Sequence, residues 1–396
     1  MTDPHYQTAP GGLTAGATGA ADGLLEDPET GSKDQVLLRR SVARQGGRLP
    51  LAAVDEPALF PVLEAAYGLG RWREWRRTAS GTSNLSWFVR TDAGEVVLRR
   101  SHNLKSVAGA EFECALIDHL RGHGFPAPPV QRTRDGAILV EVEGVLHMVM
   151  RLMPGGAYDP GNAGHLEAVA KGLGRYHSIV SELTMPGDRE RSSSLASLGQ
   201  QGQENLYAAV ALVEPLLAAD ARKTLREHAR FLADRMERLN VGLGERQKDL
   251  TFLLIHGSYG QSAVLLDDTG LTAVLDFDRS AEDLLGLDLA YALRSFCREG
   301  SARHLGYGVY PDRCRTFLNH YRSRAPLADV DLAAMPDIFQ AQRLIVIVKK
   351  SDNLLTKQAI TPREPSDAIK FAMILEREFN RIQWLLDHPF SLTEDS

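Results

Sequence analysis

The feature that most constrains this chain is a change of hydrophobic period at Pro154-Gly155-Gly156. Before that breaker, apolar and polar residues alternate in short runs. Trp87-Phe88-Val89-Arg90 and Glu95-Val96-Val97-Leu98-Arg99 flank Thr91-Asp92-Ala93-Gly94, a strand–turn–strand signal. Residues 137–142 and 146–151 repeat the pattern across Glu143-Gly144, and Glu111–Leu120 between the hairpins is amphipathic at helical spacing. A short helix over Ala58–Tyr67, stopped by Gly68 and Gly70, precedes them. Beyond the breaker the spacing predicts helices over Leu166–Ile179, Glu204–Leu217, Ala219–Leu239, Asp288–Phe296, Asp337–Leu355 and Ser366–Leu386. Strands Phe252–His256, Val264–Leu266 and Leu271–Phe277 are set among them. The expected class is α+β in two lobes, a small antiparallel-sheet lobe over 48–153 and a large helical lobe over 154–396 with a hairpin at 252–278.

The 396 residues are 43% hydrophobic, enough for a sizeable core. Residues 1–47, rich in Gly, Ala, Thr and Asp, are expected to be a disordered leader, with Val36–Leu38 the stretch best suited to docking. A net charge of −6 argues against nucleic acid or anionic membrane as partner. No apolar run reaches the roughly 18 residues of a membrane helix, and the N-terminus lacks a signal-peptide pattern. Three scattered cysteines fit a reducing cytoplasm. The excess of arginine over lysine hints at a GC-rich bacterial genome. The histidines lack zinc-ligand spacing, and neither a G-x-S-x-G elbow nor a Walker loop is present. Lys349-Lys350, on an apolar helix, reads either as a solvated edge or as the wall of an acidic-ligand groove.

The stretch with most chemistry is Leu254-Ile255-His256-Gly257-Ser258-Tyr259-Gly260-Gln261-Ser262-Ala263-Val264, followed by Val274-Leu275-Asp276-Phe277-Asp278. Carboxylates at a strand end can hold Mg2+ together with phosphate oxygens; the plainer reading is a turn with two solvated aspartates. In the N-terminal half stand Gly81-Thr82-Ser83-Asn84, Val97-Leu98-Arg99 and Glu113; later come Arg151-Leu152-Met153-Pro154-Gly155, Leu173-Gly174-Arg175-Tyr176-His177 and Asp288-Leu289-Ala290. In this order, over roughly residues 75–300, the motifs resemble the aminoglycoside phosphotransferase and choline-kinase-like family, relatives of protein kinases.

That resemblance implies a two-lobed protein-kinase-like fold that binds ATP and Mg2+. It places Ser83 and Asn84 in the nucleotide loop, Val97 against adenine, and Arg99 where a lysine is more familiar, with Glu113 as its partner. It makes Asp276 a metal ligand assisted by Asp278. His256 belongs to the candidate catalytic set with Ser258 and Asp276, chiefly as an anchor of the loop. Asp288 is read as a helix N-cap without chemistry. Each has a plainer alternative: Arg99 paired with Glu95 on the surface, Ser83 and Asn84 in an ordinary turn, Glu113 on a solvated helix face.

The sequence departs from the family pattern H-G-D-x-x-x-x-N at two positions. Ser258 stands where the family has its proton-accepting aspartate, and Ala263 where it has a metal-binding asparagine. Loss of a general base typically forfeits about 10²–10⁴-fold in rate. Four readings follow: a pseudokinase-like protein that binds nucleotide, a substrate or a partner; a slow ATP-dependent O-phosphotransferase on a small molecule or a peptide Ser/Thr, in a setting such as antibiotic or modified-peptide biosynthesis; an altered chemistry such as nucleotidyl transfer; or an intact enzyme carrying two inactivating substitutions. The acceptor is expected to be set by residues 190–245 and 300–386, which match no motif. The oligomeric state is left open.

Overall fold

A computed structural model describes residues 54–78, 84–101, 106–183, 193–298, 308–358, 365–389 and 392. The leader over 1–47 lies outside the described residues, as does Ser83 with Gly81 and Thr82.

Helix α1 (Glu56–Ala66) begins at Asp55, whose carboxylate accepts from the Ala58 N–H at 3.2 Å, with Pro57 in its first turn. Strands β1 (Trp72–Arg77), β2 (Leu85–Thr91), β3 (Gly94–Arg100), β4 (Val140–Val142) and β5 (Val145–Arg151) form one antiparallel sheet, ordered β1-β2-β3-β5-β4. The period of two sends Leu85, Trp87, Val89, Val96 and Leu98 to one core, shared with Leu59, Phe60 and Leu63 of α1. Phe60 stacks on Trp75 at 4.3 Å and meets Trp72 and Trp87 edge-on. Glu56 accepts from both the Trp75 and Trp87 indole N–H groups. The alternate positions on β3 are Val97 and Arg99, and Arg99 meets Glu113 of helix α2 (Val107–Gly122). Helix α2 outruns its periodic core because Ser106 caps it, accepting from the Gly109 N–H. The strand expected from residue 137 shortens to Val140–Val142, because the Ala137 carbonyl is used by the Thr133 N–H in a tight turn.

The chain then crosses to the helical lobe through Pro154-Gly155-Gly156. Gly156 exchanges backbone hydrogen bonds with Leu266, and the Thr272 hydroxyl donates to the Pro154 carbonyl at 2.7 Å. Gly155 sits at φ 122° with the Thr272 hydroxyl where a Cβ would lie, so only glycine fits this junction. The lobe contains α3 (Ala163–Val180), α4 (Gln200–Val213), α5 (Ala219–Arg246), α6 (Leu285–Phe296), α7 (Pro311–Arg322), α8 (Asp329–Gln358) and α9 (Pro365–Asp387). Two strand pairs are inserted: β6 (Phe252–Ile255) with β9 (Ala281–Leu284), and β7 (Val264–Asp267) with β8 (Gly270–Val274). Helix α8 starts before Pro336, not after it. The proline removes one ladder donor, but buried Leu332, Met335, Ile338 and Phe339 on both sides hold the helix through it. Among the described residues no helix is long and apolar enough to cross a membrane.

Helices α8 and α9 are joined by a fully buried ion pair. Arg343 grips Glu378 with two hydrogen bonds of 2.6 and 2.7 Å, and Arg377 and Arg381 also approach the carboxylate. Burial works against the charged form, but Arg343, Arg381 and Arg377 outweigh it and hold Glu378 down at about 2. Removing one partner of a buried pair costs about 3–5 kcal/mol, so Glu378→Ala should lower unfolding stability by that amount in urea titration at neutral pH. The folded-state value lies below the ordinary 4.5, so the pair's contribution is full above pH 4.5 and drains away as pH falls toward 2. The gap between wild type and Glu378→Gln should narrow across that window.

Candidate active site

Strand β6 delivers His256-Gly257-Ser258 onto a buried carboxylate. Asp288 accepts from the His256 N–H at 2.8 Å, the Gly257 N–H at 2.9 Å and the His177 Nε2–H at 3.0 Å. Burial disfavours its charge, but His177 and His256 outweigh that and keep the carboxyl below its ordinary range. Helix α6 begins at Leu285, so Asp288 lies inside the first turn and does not cap it. The expected N-cap is corrected to a loop anchor. Its signal in the sequence was a lone acid between Leu287 and Leu289, since a charge within an apolar run must find partners.

His256 is wholly buried. Its Nε2 donates to the Leu275 carbonyl at 3.0 Å, and its Nδ1 faces the backbone N–H and Oγ of Ser258, each at 3.3 Å. The histidine therefore holds the loop from within and presents no face to the cleft. Gly257 sits at φ 76°, and a Cβ there would come within 2.7 Å of the Arg279 carbonyl oxygen. The Tyr259 hydroxyl donates to the Val169 carbonyl of α3, and Gln261 is tied to Ser295 of α6.

Asp276 leaves β8 exposed and left-handed, at φ 68° and ψ 54°, a conformation aspartate tolerates better than most residues. Buried Phe277, packed on the His256 ring at 5.0 Å, pins the short turn that carries Asp278. Asp278 accepts from the Asn84 side-chain N–H at 3.0 Å, a contact that bridges the two lobes. Across the cleft Arg99 meets Glu113 at 2.6 Å, both nearly buried. Burial disfavours the Arg99 charge, but Glu113 outweighs it with added contributions from Asp278 and Asp276, so the guanidinium stays firmly protonated.

The fold thus brings Asn84, Arg99, Glu113, Asp276 and Asp278 near one another, with the Ser258 hydroxyl 3.2 Å from the Asp276 carbonyl. Val97 lies two positions from Arg99 on β3, half-buried and paired with Met150. Ala263 is buried, its amide bonded to Gly260 and its carbonyl to Leu275. Its side chain is a single buried methyl group. Among the described residues no three His, Cys, Asp or Glu side chains converge as a metal site. Asp276 and Asp278 are of the donor class that Mg2+ takes, commonly one or two carboxylates with phosphate oxygens and water completing the shell.

The family model described as phosphotransferase enzyme family matches residues 74–327. A homoserine kinase of Pseudomonas aeruginosa is 27% identical over 278 residues, covering 70% of this chain and 80% of that protein. Among solved structures, an amicoumacin kinase in complex with AMP-PNP and Ca2+ superposes with a TM-score of 0.59 at 16% identity, over 87% of this chain and 96% of the other. A microcompartment-associated aminopropanol kinase superposes with a TM-score of 0.56 at 19% identity, over 86% and 100%. The two structures share the fold: an antiparallel-sheet lobe joined to a helical one. With most of its two lobes matched by the model, the chain belongs to the phosphotransferase enzyme family.

Proposed function

We propose that this protein binds Mg-ATP between its lobes, together with a small hydroxyl-bearing molecule, and is impaired in the phosphoryl-transfer step. The observation that carries the reading is Ser258, whose hydroxyl rests on His256 and the Asp276 carbonyl where the family has a carboxylate base. A serine hydroxyl does not accept the acceptor's proton near neutral pH, and Ala263 removes one metal-ligating side chain.

The remaining groups have defined tasks. Arg99 offers a fixed fork to phosphate oxygens, and Glu113 holds that fork in place. Asp276 and Asp278 would hold the metal, and Asn84 orients Asp278 from the opposite lobe. Bound Mg-ATP would supply the electrophilic phosphorus and the charge neutralisation that phosphoryl transfer relies on. A small-molecule acceptor is favoured because the relatives are named for homoserine, amicoumacin and aminopropanol. All three cysteines are buried and unpaired by disulfides, which suits a reducing cytoplasm.

A second reading, a slow but genuine O-phosphotransferase, is supported by the intact Arg99–Glu113 pair and the two aspartates, since this chemistry leans on positioning and electrostatics. One experiment separates the two. Calorimetry should detect Mg-ATP binding to the wild type, while transfer to hydroxyl acceptors stays at background. Ser258→Asp combined with Ala263→Asn should raise the rate by about 10²–10⁴-fold. Wild-type turnover near 1 s⁻¹, within the ordinary kinase span of about 1–100 s⁻¹, would reject impairment in favour of the active enzyme. Glu113→Ala should leave Arg99 buried without its partner, lowering stability by about 3–5 kcal/mol and weakening nucleotide binding; Glu113→Gln should recover part of both, read by urea titration and calorimetry.

A further inference from the structure

Helix α3 borders a second concave site away from the cleft. A cavity of about 610 Å³ lies between α3, the tip of the β7–β8 hairpin and the chain just past α7. None of Asn84, Arg99, Glu113, Asp276 or Asp278 lines it. Its volume falls within the span of small-molecule sites, about 300–1,000 Å³. Phe125, Pro126 and Leu271 give it an apolar wall.

The charges around it are sorted by sign. At one end stand two exposed arginines, Arg175 and Arg324. They are close neighbours, since a Cβ on Gly174 would lie 2.9 Å from the Arg324 Cβ. One Arg175 guanidinium nitrogen donates to the His123 carbonyl at 2.8 Å, and neither arginine has a carboxylate partner among the described residues. Lys171, one turn earlier on α3, is paired with Glu167. At the other end the hairpin tip carries Asp267 and Asp268. Asp267 is engaged within its own turn, accepting from the Thr269 N–H at 2.8 Å and hydroxyl at 2.6 Å. Exposed Asp268 has no hydrogen bond or ion pair from its side chain among the described residues. The tip rests on α3 at Ala168, whose methyl group would lie 3.8 Å from a Cβ on Gly270. Ala168 and Arg175 are seven positions apart on that helix, so at about 1.5 Å per residue the two ends stand about 10 Å apart.

We propose that this cavity is a second ligand site, for a small phosphate monoester that carries an ammonium group. Two adjacent guanidinium forks match the charge and the several oxygens of a phosphate dianion, whereas a carboxylate would occupy only one of them. Asp268 at the far end takes the ammonium, and a short alkyl linker between the two lies along Phe125, Pro126 and Leu271. Free phosphate would leave the apolar wall and Asp268 unused. The site is apart from the residues assigned to nucleotide, so the inference stands whether or not the cleft takes Mg-ATP.

The test is calorimetry on the full chain with three probes: 3-aminopropyl phosphate, propyl phosphate and inorganic phosphate. The aminoalkyl ester should bind tightest, with one site per chain, and inorganic phosphate weakest. Arg175→Ala combined with Arg324→Ala should weaken both esters by about tenfold or more, as loss of charge-assisted hydrogen bonds to phosphate does. Asp268→Asn should weaken the aminoalkyl ester by about threefold, the scale of an exposed ion pair, and leave propyl phosphate unchanged. The single arginine variants give the same readout if the double variant fails to fold. Four results would overturn the inference: no binding at millimolar ester, an affinity indifferent to both arginines, equal affinity for the aminoalkyl ester and inorganic phosphate, or no effect of Asp268→Asn.

Discussion

The Asp288 carboxylate lies at the centre of the helical lobe with no solvent exposure, and three N–H groups converge on it. Two come from the backbone of the loop and one from His177 of α3, whose other ring nitrogen accepts from the Tyr321 hydroxyl of α7 at 2.8 Å. A single ionised group thus ties α3, α6 and α7 to the loop that carries Ser258. An unpaired carboxylate in this position would be prohibitively costly, and each loop amide left without it would bear its own desolvation penalty of about 1–3 kcal/mol. The loop has one satisfactory position, and the helices must pack so as to provide it.

The two lobes are joined by charge where they face each other. Arg99 pairs with Glu113 and also feels the charges of Asp278 and Asp276 from the other lobe. An arginine suits this place for a reason that a lysine would not satisfy. In the proposed function its planar fork keeps one nitrogen on Glu113 while others turn to a phosphate, whereas an ammonium is a single point of charge. The two aspartates opposite it are the proposed cation ligands, and Asn84 holds one oxygen of Asp278.

The lobes, the hairpins and the acidic pair were legible in the sequence because each follows a period or a short motif. The alternation over Leu85–Thr91 and Gly94–Arg100 sets the sheet register, and Pro154-Gly155-Gly156 marks the crossing between lobes. Less legible were features that depend on what lies far away along the chain. The helix was expected to begin at Asp337, after Pro336, because local rules take no account of the buried residues on both sides. Asp288 looked like a cap because the loop it anchors lies 32 residues earlier. The strand pair β6–β9 was half missed, since Ala281–Leu284 is too short and too acidic to stand out. His256 was singled out by its motif, but its complete burial is a property of the ring stack formed with Tyr176, Tyr259 and Phe277.

The left-handed backbone of Asp276 bears on how this site can vary at all. Most L-residues lose roughly 1–2 kcal/mol in that conformation, while asparagine, like aspartate, enters it readily and glycine freely. A change to alanine there would remove a charge and bend the turn at the same time, mixing two effects in one measurement. A change to asparagine would keep the turn and isolate the charge. The backbone thus narrows the substitutions this position can accept to a few small residues, whatever the chemistry selects.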